Sequence, residues 1–201
     1  PEGKKPYETP RELRDDELPG IVAAFRRAAE NALAAGFDGV EVHGANGYLL
    51  DQFLRDGSNR RNGPYGGALA NRARLLLEVV DAAIAVWGAD RVGVRISPLN
   101  SFNDMRDSDP VGLTRYVAGE LDRRGIAFLE LMRADFFGVQ KGDVVSAARG
   151  AFKGALLCGM GFTPAEAAQA VGAGTFAASE TMNGLSTVII PVSPNGFRNP
   201  A

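Results

Sequence analysis

Gly39-Val40-Glu41-Val42-His43-Gly44-Ala45-Asn46-Gly47-Tyr48 is the stretch that decides how this chain reads. A short β-branched run stops at the one histidine of the sequence, and a Gly-rich turn then offers Asn and Tyr. His and Tyr transfer or donate protons, Asn donates hydrogen bonds, and the glycines let the backbone turn tightly. Such a set suits a reacting carbonyl. A lone histidine is more often a core residue satisfied by a backbone carbonyl. Its place at a strand end beside Asn46 and Tyr48 tips His43 toward function, because barrel enzymes keep their chemistry in the loops just after the strands.

Working outward, strand and helix alternate four times. Asp15 and Asp16 precede a helix with apolar spacing (Ile21, Val22, Phe25, Ala29, Leu33) that stops at Gly36, and a strand spans 39–42. A loop over 57–67 is followed by a helix from Leu69 to Trp87, closed by Gly88. Val92–Ile96 reads as a second strand, Asp109-Pro110 opens a helix to Arg124, and 127–132 is a third strand. A weak helix leads to a fourth strand at 155–158, and Thr163-Pro164-Ala165-Glu166 begins a further helix with a capping box. Short apolar strands between amphipathic helices signify a parallel sheet covered by helices. The pattern alone leaves open a doubly wound sheet or a closed barrel, although no G-x-G-x-x-G follows any strand. The expected class is α/β, a parallel (β/α) barrel of TIM type. It is incomplete, with about four to five of the eight β/α units, since a whole barrel needs ~250 residues and the chain has 201. Residues 1–174 form the partial barrel. Residues 175–201 are a divergent tail in which 187–192 has strand character.

Bulk properties exclude several classes. A net charge of -2 gives no electrostatic reason for nucleic acid or an anionic membrane as partner. No apolar run is long enough to span a bilayer. The single cysteine, Cys158, allows no internal disulfide and suits a cytoplasmic, reducing location. The start, Pro1-Glu2-Gly3-Lys4-Lys5, has neither a signal-peptide core nor a Met, so a longer parent chain is expected. One His and one Cys argue against a zinc site, and no serine nucleophile elbow is present.

Arg95 sits inside the apolar strand Val92–Ile96, where an unpaired guanidinium costs several kcal/mol. Either a carboxylate (Glu130 or Glu41) or an anionic ligand neutralises it. Gly159-Met160-Gly161 follows a strand and precedes a helix, a place where backbone N–H groups can face a phosphate, though such turns are common without one.

The segments His43-Gly-Ala-Asn46-Gly-Tyr48-Leu-Leu-Asp-Gln-Phe-Leu54, Ser58-Asn-Arg-Arg61, Tyr65-Gly66-Gly67, Asn71-Arg72, Val92-Gly-Val-Arg95-Ile-Ser-Pro98, Phe102-Asn-Asp-Met105 and Gly161-Phe162 together resemble the Old Yellow Enzyme family of flavin-dependent alkene reductases. The resemblance runs from about Tyr7 to Gly174. It implies a barrel that holds FMN at the C-terminal ends of its strands, takes reducing equivalents from NADPH or NADH, and passes hydride to the β-carbon of a small activated alkene. By the same resemblance His43 and Asn46 bind the activating oxygen, Tyr48 gives the α-proton, Phe102 contacts the substrate, and Arg95, Met160 and Gly161 bind the cofactor. There are departures: Met160 stands where the family has Gly, residues 175–184 lack the Gly-Arg that holds the FMN phosphate, and the early flavin-binding strands would precede Pro1. An alternative is an inactive, incomplete barrel of this descent, whose open edges favour self-association. A Schiff-base aldolase is disfavoured, because Lys4, Lys5, Lys141 and Lys153 all lie in loops or weakly patterned segments.

Overall fold

The computed structural model describes residues 10–175 and the strand Ala178–Glu180. Strands β1 (Val40–Gly44), β2 (Val92–Ile96), β3 (Phe128–Met132), β4 (Ala155–Gly159) and β5 (Ala178–Glu180) form one sheet. Every pairing is parallel and the spatial order equals the chain order, β1-β2-β3-β4-β5. A doubly wound sheet reverses its strand order at a switch point, and this one does not. A sheet wound in one direction is the wall of a barrel, which resolves the choice that the sequence pattern leaves open. β5 adds a parallel strand beyond the expected boundary at 174. The strand expected at 187–192 lies outside the described residues.

Helices α1 (Leu18–Ala34), α3 (Leu69–Trp87), α4 (Pro110–Arg124), α5 (Val144–Ala151) and α6 (Pro164–Gly172) account for the expected helical segments, and a short α2 (Leu49–Leu54) follows the turn after β1. α1 packs on α3, α3 on α4 and α4 on α5, a continuous belt over one face of the sheet. The core lies between belt and sheet. Val42, Val94, Leu129 and Leu156 are partners in register and point into it, meeting Leu76 and Val80 of α3 and Val117 and Leu121 of α4 in one buried cluster. Trp87 closes the α1 side by donating its indole N–H to the Ala29 carbonyl at 3.0 Å.

Because side chains alternate along a strand, the other face carries different residues. Its register rows read Glu41, Gly93, Phe128, Ala155 and then His43, Arg95, Glu130, Leu157. Gly93 has no side chain because the Phe128 ring occupies the space where its β-carbon would sit. This inner face is polar on the β1 side and partly open. Among the described residues no helix is long and apolar enough to cross a membrane.

Candidate active site

All five strands point the same way, so their C-terminal ends share one edge, and the candidate residues gather there. His43 and Arg95 are register partners on β1 and β2, and Glu130 is the next residue in that row. Arg95 Nη1 lies 3.1 Å from Glu130 Oε1. The counter-charge for the strand guanidinium is thus supplied by the chain itself, through Glu130, one of the two alternatives that the sequence leaves open. The pair is not aligned as a hydrogen bond: among the described residues Arg95 Nε and Glu130 Oε1 are buried without a hydrogen-bond partner. Desolvation first, and then the Arg95 charge, hold the His43 imidazole below its ordinary pKa of 6.5, against weaker opposing effects of Asp51 and Glu130. Both causes favour the neutral ring, which carries a single N–H, while a backbone hydrogen bond at Ala45 opposes them weakly.

Beyond Gly44 the chain turns through Asn46 (φ 59°) and Gly47 (φ 72°). A β-carbon on Gly47 would lie 2.7 Å from Asn103 Cβ and 2.8 Å from Met105 Cγ, so the loop after β2 is pressed against this turn and brings Phe102 to it. Tyr48 follows with its ring 5.6 Å from that of His43, tilted by 56°. The Tyr48 and Phe102 side chains are exposed, 57% and 40%. Hence His43, Asn46, Tyr48, Arg95 and Phe102 occupy one end of β1 and β2.

Asn46 is gripped from three sides. Its backbone N–H donates to Ser97 Oγ (2.8 Å), its carboxamide oxygen accepts from Asn100 Nδ2 (2.9 Å), and its carbonyl accepts from Asn103 Nδ2 (3.0 Å). Underneath lies a buried ion pair, Arg55 Nε to Asp51 Oδ1 at 2.9 Å, with side chains 0% and 2% exposed. Asp51 also accepts the Gly47 N–H (2.9 Å), and Arg55 donates to the carbonyls of Ser97 and Asn100. Sequence reasoning missed Ser97, Asn100, Asp51 and Arg55 as parts of the site. The signal available for Arg55 was a second strongly charged residue within an apolar motif.

Met160 and Gly161 lie at the same edge but at the end of β4, two strands from Arg95, roughly 10 Å at ordinary strand spacing. Both have positive φ, 74° and 73°. Arg133 donates to both of their carbonyls, and its guanidinium lies 3.6 Å above the Phe162 ring centroid. The Thr163 N–H and the first turn of α6 are satisfied by a reciprocal Thr163–Glu166 capping box. Any anion here meets the turn, not a free helix end. Cys158 faces the core, and burial pushes its thiol up to about 12, as befits a small packing residue.

Residues 2–152 match the NADH:flavin oxidoreductase / NADH oxidase family. The chain belongs to that family. It is 53% identical over 170 residues to a probable flavin mononucleotide-dependent alkene reductase of Leishmania infantum, covering 85% of this chain and 46% of the relative. It is 56% identical over 117 residues to 12-oxophytodienoate reductase 1 of Oryza sativa subsp. japonica, covering 58% of this chain and 31% of that protein. Among solved structures, the old yellow enzyme from Trypanosoma cruzi superposes with a TM-score of 0.84 at 41% identity, covering 87% of this chain and 48% of that one. Morphinone reductase in complex with tetrahydroNAD gives 0.81 at 42%, covering 87% and 47%. The chain therefore spans about half the length of these structures, and the Old Yellow Enzyme resemblance and the TIM-type fold both stand.

Proposed function

We propose that this chain carries the substrate-activating part of an FMN-dependent oxidoreductase that reduces activated C=C bonds, such as those of enones and nitroalkenes, at the expense of NADPH or NADH. The observation that carries the proposal is the state of Asn46. Its other polar atoms are taken by Ser97, Asn100 and Asn103, so among the described residues its amide nitrogen is left as a donor, in the same turn that carries Tyr48 next to His43. The cofactor fits the same edge: Arg95 offers a buried Nε without a hydrogen-bond partner among the described residues, a donor suited to a flavin carbonyl or ring nitrogen. The names of the Leishmania relative and of the morphinone reductase complex support FMN and a nicotinamide reductant respectively.

FMN, when bound, supplies the hydride that enters the alkene β-carbon. As that bond forms, negative charge collects on the activating oxygen. The neutral His43 N–H and the Asn46 amide N–H, fixed before reaction, stabilise it most where the charge is greatest. Tyr48, exposed next to His43, gives its proton to the α-carbon, which completes the addition of two hydrogens. Phe102 walls the substrate, and the backbone N–H groups of Met160 and Gly161 serve the phosphate. A cytoplasmic place of action belongs to the same proposal, supported by the lone unpaired thiol of Cys158.

The test is to combine the protein with FMN, NADPH and 2-cyclohexenone under anaerobic conditions. Retained yellow flavin and enone-dependent NADPH oxidation are expected. A colourless protein that leaves NADPH untouched would favour the inactive-barrel alternative. Replacing Tyr48 by Phe is expected to slow enone reduction and spare flavin reduction by NADPH; equal losses would remove Tyr48 as the proton donor.

A further inference from the structure

We infer that Asn100 is a positioning residue that sets which end of the Asn46 carboxamide faces the substrate. The inference rests on the donor role proposed for Asn46 and adds a residue that lies outside the recognised motifs. A carboxamide is nearly symmetric in shape, and its two ends differ only in hydrogen bonding. Something must therefore choose between presenting Nδ2, which donates to an oxygen with growing negative charge, and presenting Oδ1, which repels it.

The choice is made through a chain of polarity that starts from the backbone. The Phe102 N–H can only donate, and it donates to Asn100 Oδ1 at 3.2 Å. That turns the Asn100 amide nitrogen toward Asn46, where it donates to Oδ1 at 2.9 Å. Asn46 Nδ2 is then the end left facing away. The Asn100 main chain is anchored as well, so the side chain starts from a fixed point: the residue is 0% exposed, its N–H donates to the Ser97 carbonyl (3.0 Å) and its carbonyl accepts from the buried Arg55 (3.2 Å). A main-chain amide thus dictates, through two side chains, the donor orientation at the site. The same Phe102 whose N–H starts the chain presses its carbonyl oxygen on the turn, 3.0 Å from where a Gly47 β-carbon would sit, and is itself 40% exposed, so the orientation of the donor and the placement of this aromatic residue are linked.

The decisive substitution is Asn100→Asp. It keeps the shape and still accepts the Phe102 N–H, but presents an acceptor to Asn46. The Asn46 amide should then rotate, giving its NH2 to Asp and its oxygen to the substrate. Measured in the FMN-loaded protein with 2-cyclohexenone, kcat/KM should fall about 100-fold, the order of loss for one missing oxyanion donor, with flavin reduction by NADPH unchanged. Introducing the same change into an Asn46→Ala protein should produce no further loss. Fully additive losses would overturn the inference, because Asn100 would then act by another route.

A second readout does not depend on catalysis. In side-chain amide NMR of the flavin-free protein, the Asn46 NH2 resonances should move downfield in Asn100→Asp as they engage a carboxylate, and unchanged resonances would sink the proposal. If the wild type proves inert while this shift is seen, the enzymatic reading fails and the orienting role of Asn100 survives. Should the buried carboxylate prevent folding, Asn46→Asp serves instead. It keeps the bond from Asn100 but turns the donor end into a carboxylate oxygen that repels the growing charge, so its activity should fall to that of Asn46→Ala or below it; full activity would overturn the inference, because the end that Asn100 turns toward the substrate would then not matter.

Discussion

After β1 the chain turns through Asn46 and Gly47, and after β4 through Met160 and Gly161; in both turns a non-glycine residue and a glycine have positive φ. The two are held very differently. Asn is among the few residues that visit the left-handed region readily, and here Ser97, Asn100 and Asn103 bond its N–H, side-chain oxygen and carbonyl. A Met side chain, unlike that of Asn, makes no hydrogen bond that offsets the steric cost, and its turn is held mainly by Arg133, which is partly exposed and also paired with Glu166 at 3.5 Å. The first turn rests on a buried polar network and the second on one surface-facing guanidinium. A site that must fix donors to a few tenths of an ångström needs the former, since buried polar groups held by several bonds each have few alternative geometries, even with Arg55 Nη1 lacking a hydrogen-bond partner among the described residues. Strain without such support, as at Met160, is tolerated where only backbone amides are presented.

The largest effect that would break this comparison comes from Arg55. Arg55→Met leaves Asp51 buried without its counter-charge, and the loss should be about 3–5 kcal/mol, read as a lower urea midpoint at unchanged m-value. Arg133→Met at the other turn should cost far less, because its side chain is 28% exposed and its partner Glu166 is 52% exposed. Equal losses would mean that the first turn owes nothing to burial.

Next come the two glycines. Gly161→Ala meets its nearest atom, Ala134 Cβ, at an ordinary 3.5 Å, so only the left-handed backbone opposes it, at about 1–2 kcal/mol. Gly47→Ala bears the same penalty and also collides with Asn103 and Met105, which adds about 1–3 kcal/mol of overpacking. The difference between the two variants measures how tightly the loop after β2 is pressed on the first turn. Met160→Gly runs the other way. Relief of about 1–2 kcal/mol of strain, less about 0.5–1 kcal/mol of extra chain entropy, should leave a gain near ~0.5 kcal/mol. A clear loss would show that the Met160 side chain packs usefully.

Much of this was legible in the residues, and the limits have physical causes. The first strand was expected at 39–42 and runs Val40–Gly44, because pairing with β2 continues through His43 and Gly44 whatever their β-propensity. α2 was hidden because six residues are too few for a helical period to show. The donors His43, Asn46 and Tyr48 were visible as types at a strand end. Ser97 and Asn100 were not, since they meet Asn46 across 51 and 54 positions of sequence. Arg95 was recognisable as a misfit in an apolar strand, yet only the register with Glu130 identifies its partner. Positive φ at Met160 contradicts the preference of its side chain, so no local rule would place it there.

The smallest effect concerns protons. His43 is the only histidine of the chain, and its folded-state pKa is lowered, chiefly by desolvation and by the Arg95 charge. Protonation is therefore harder in the folded state than in the unfolded one. The stabilisation this gives is complete above the unfolded value near 6.5 and is lost as the pH falls through the lower folded value. Glu17, held at about 2 by its bond to Arg11, has the same sign, but its loss begins only as the pH nears the ordinary carboxylate value. Between pH 7 and pH 5 the unfolding midpoint should therefore change less favourably in the wild type than in His43→Gln, the buried Asp51 carboxyl, raised by desolvation, acting with the opposite sign in both proteins. The difference isolates one imidazole from the nearby Asp51 and Glu130, whose charges favour its protonated form. If the two proteins had equal slopes, the ring next to Tyr48 would be as well solvated as in an unfolded chain. The first turn would then lack the partial dryness that makes its hydrogen-bond donors strong.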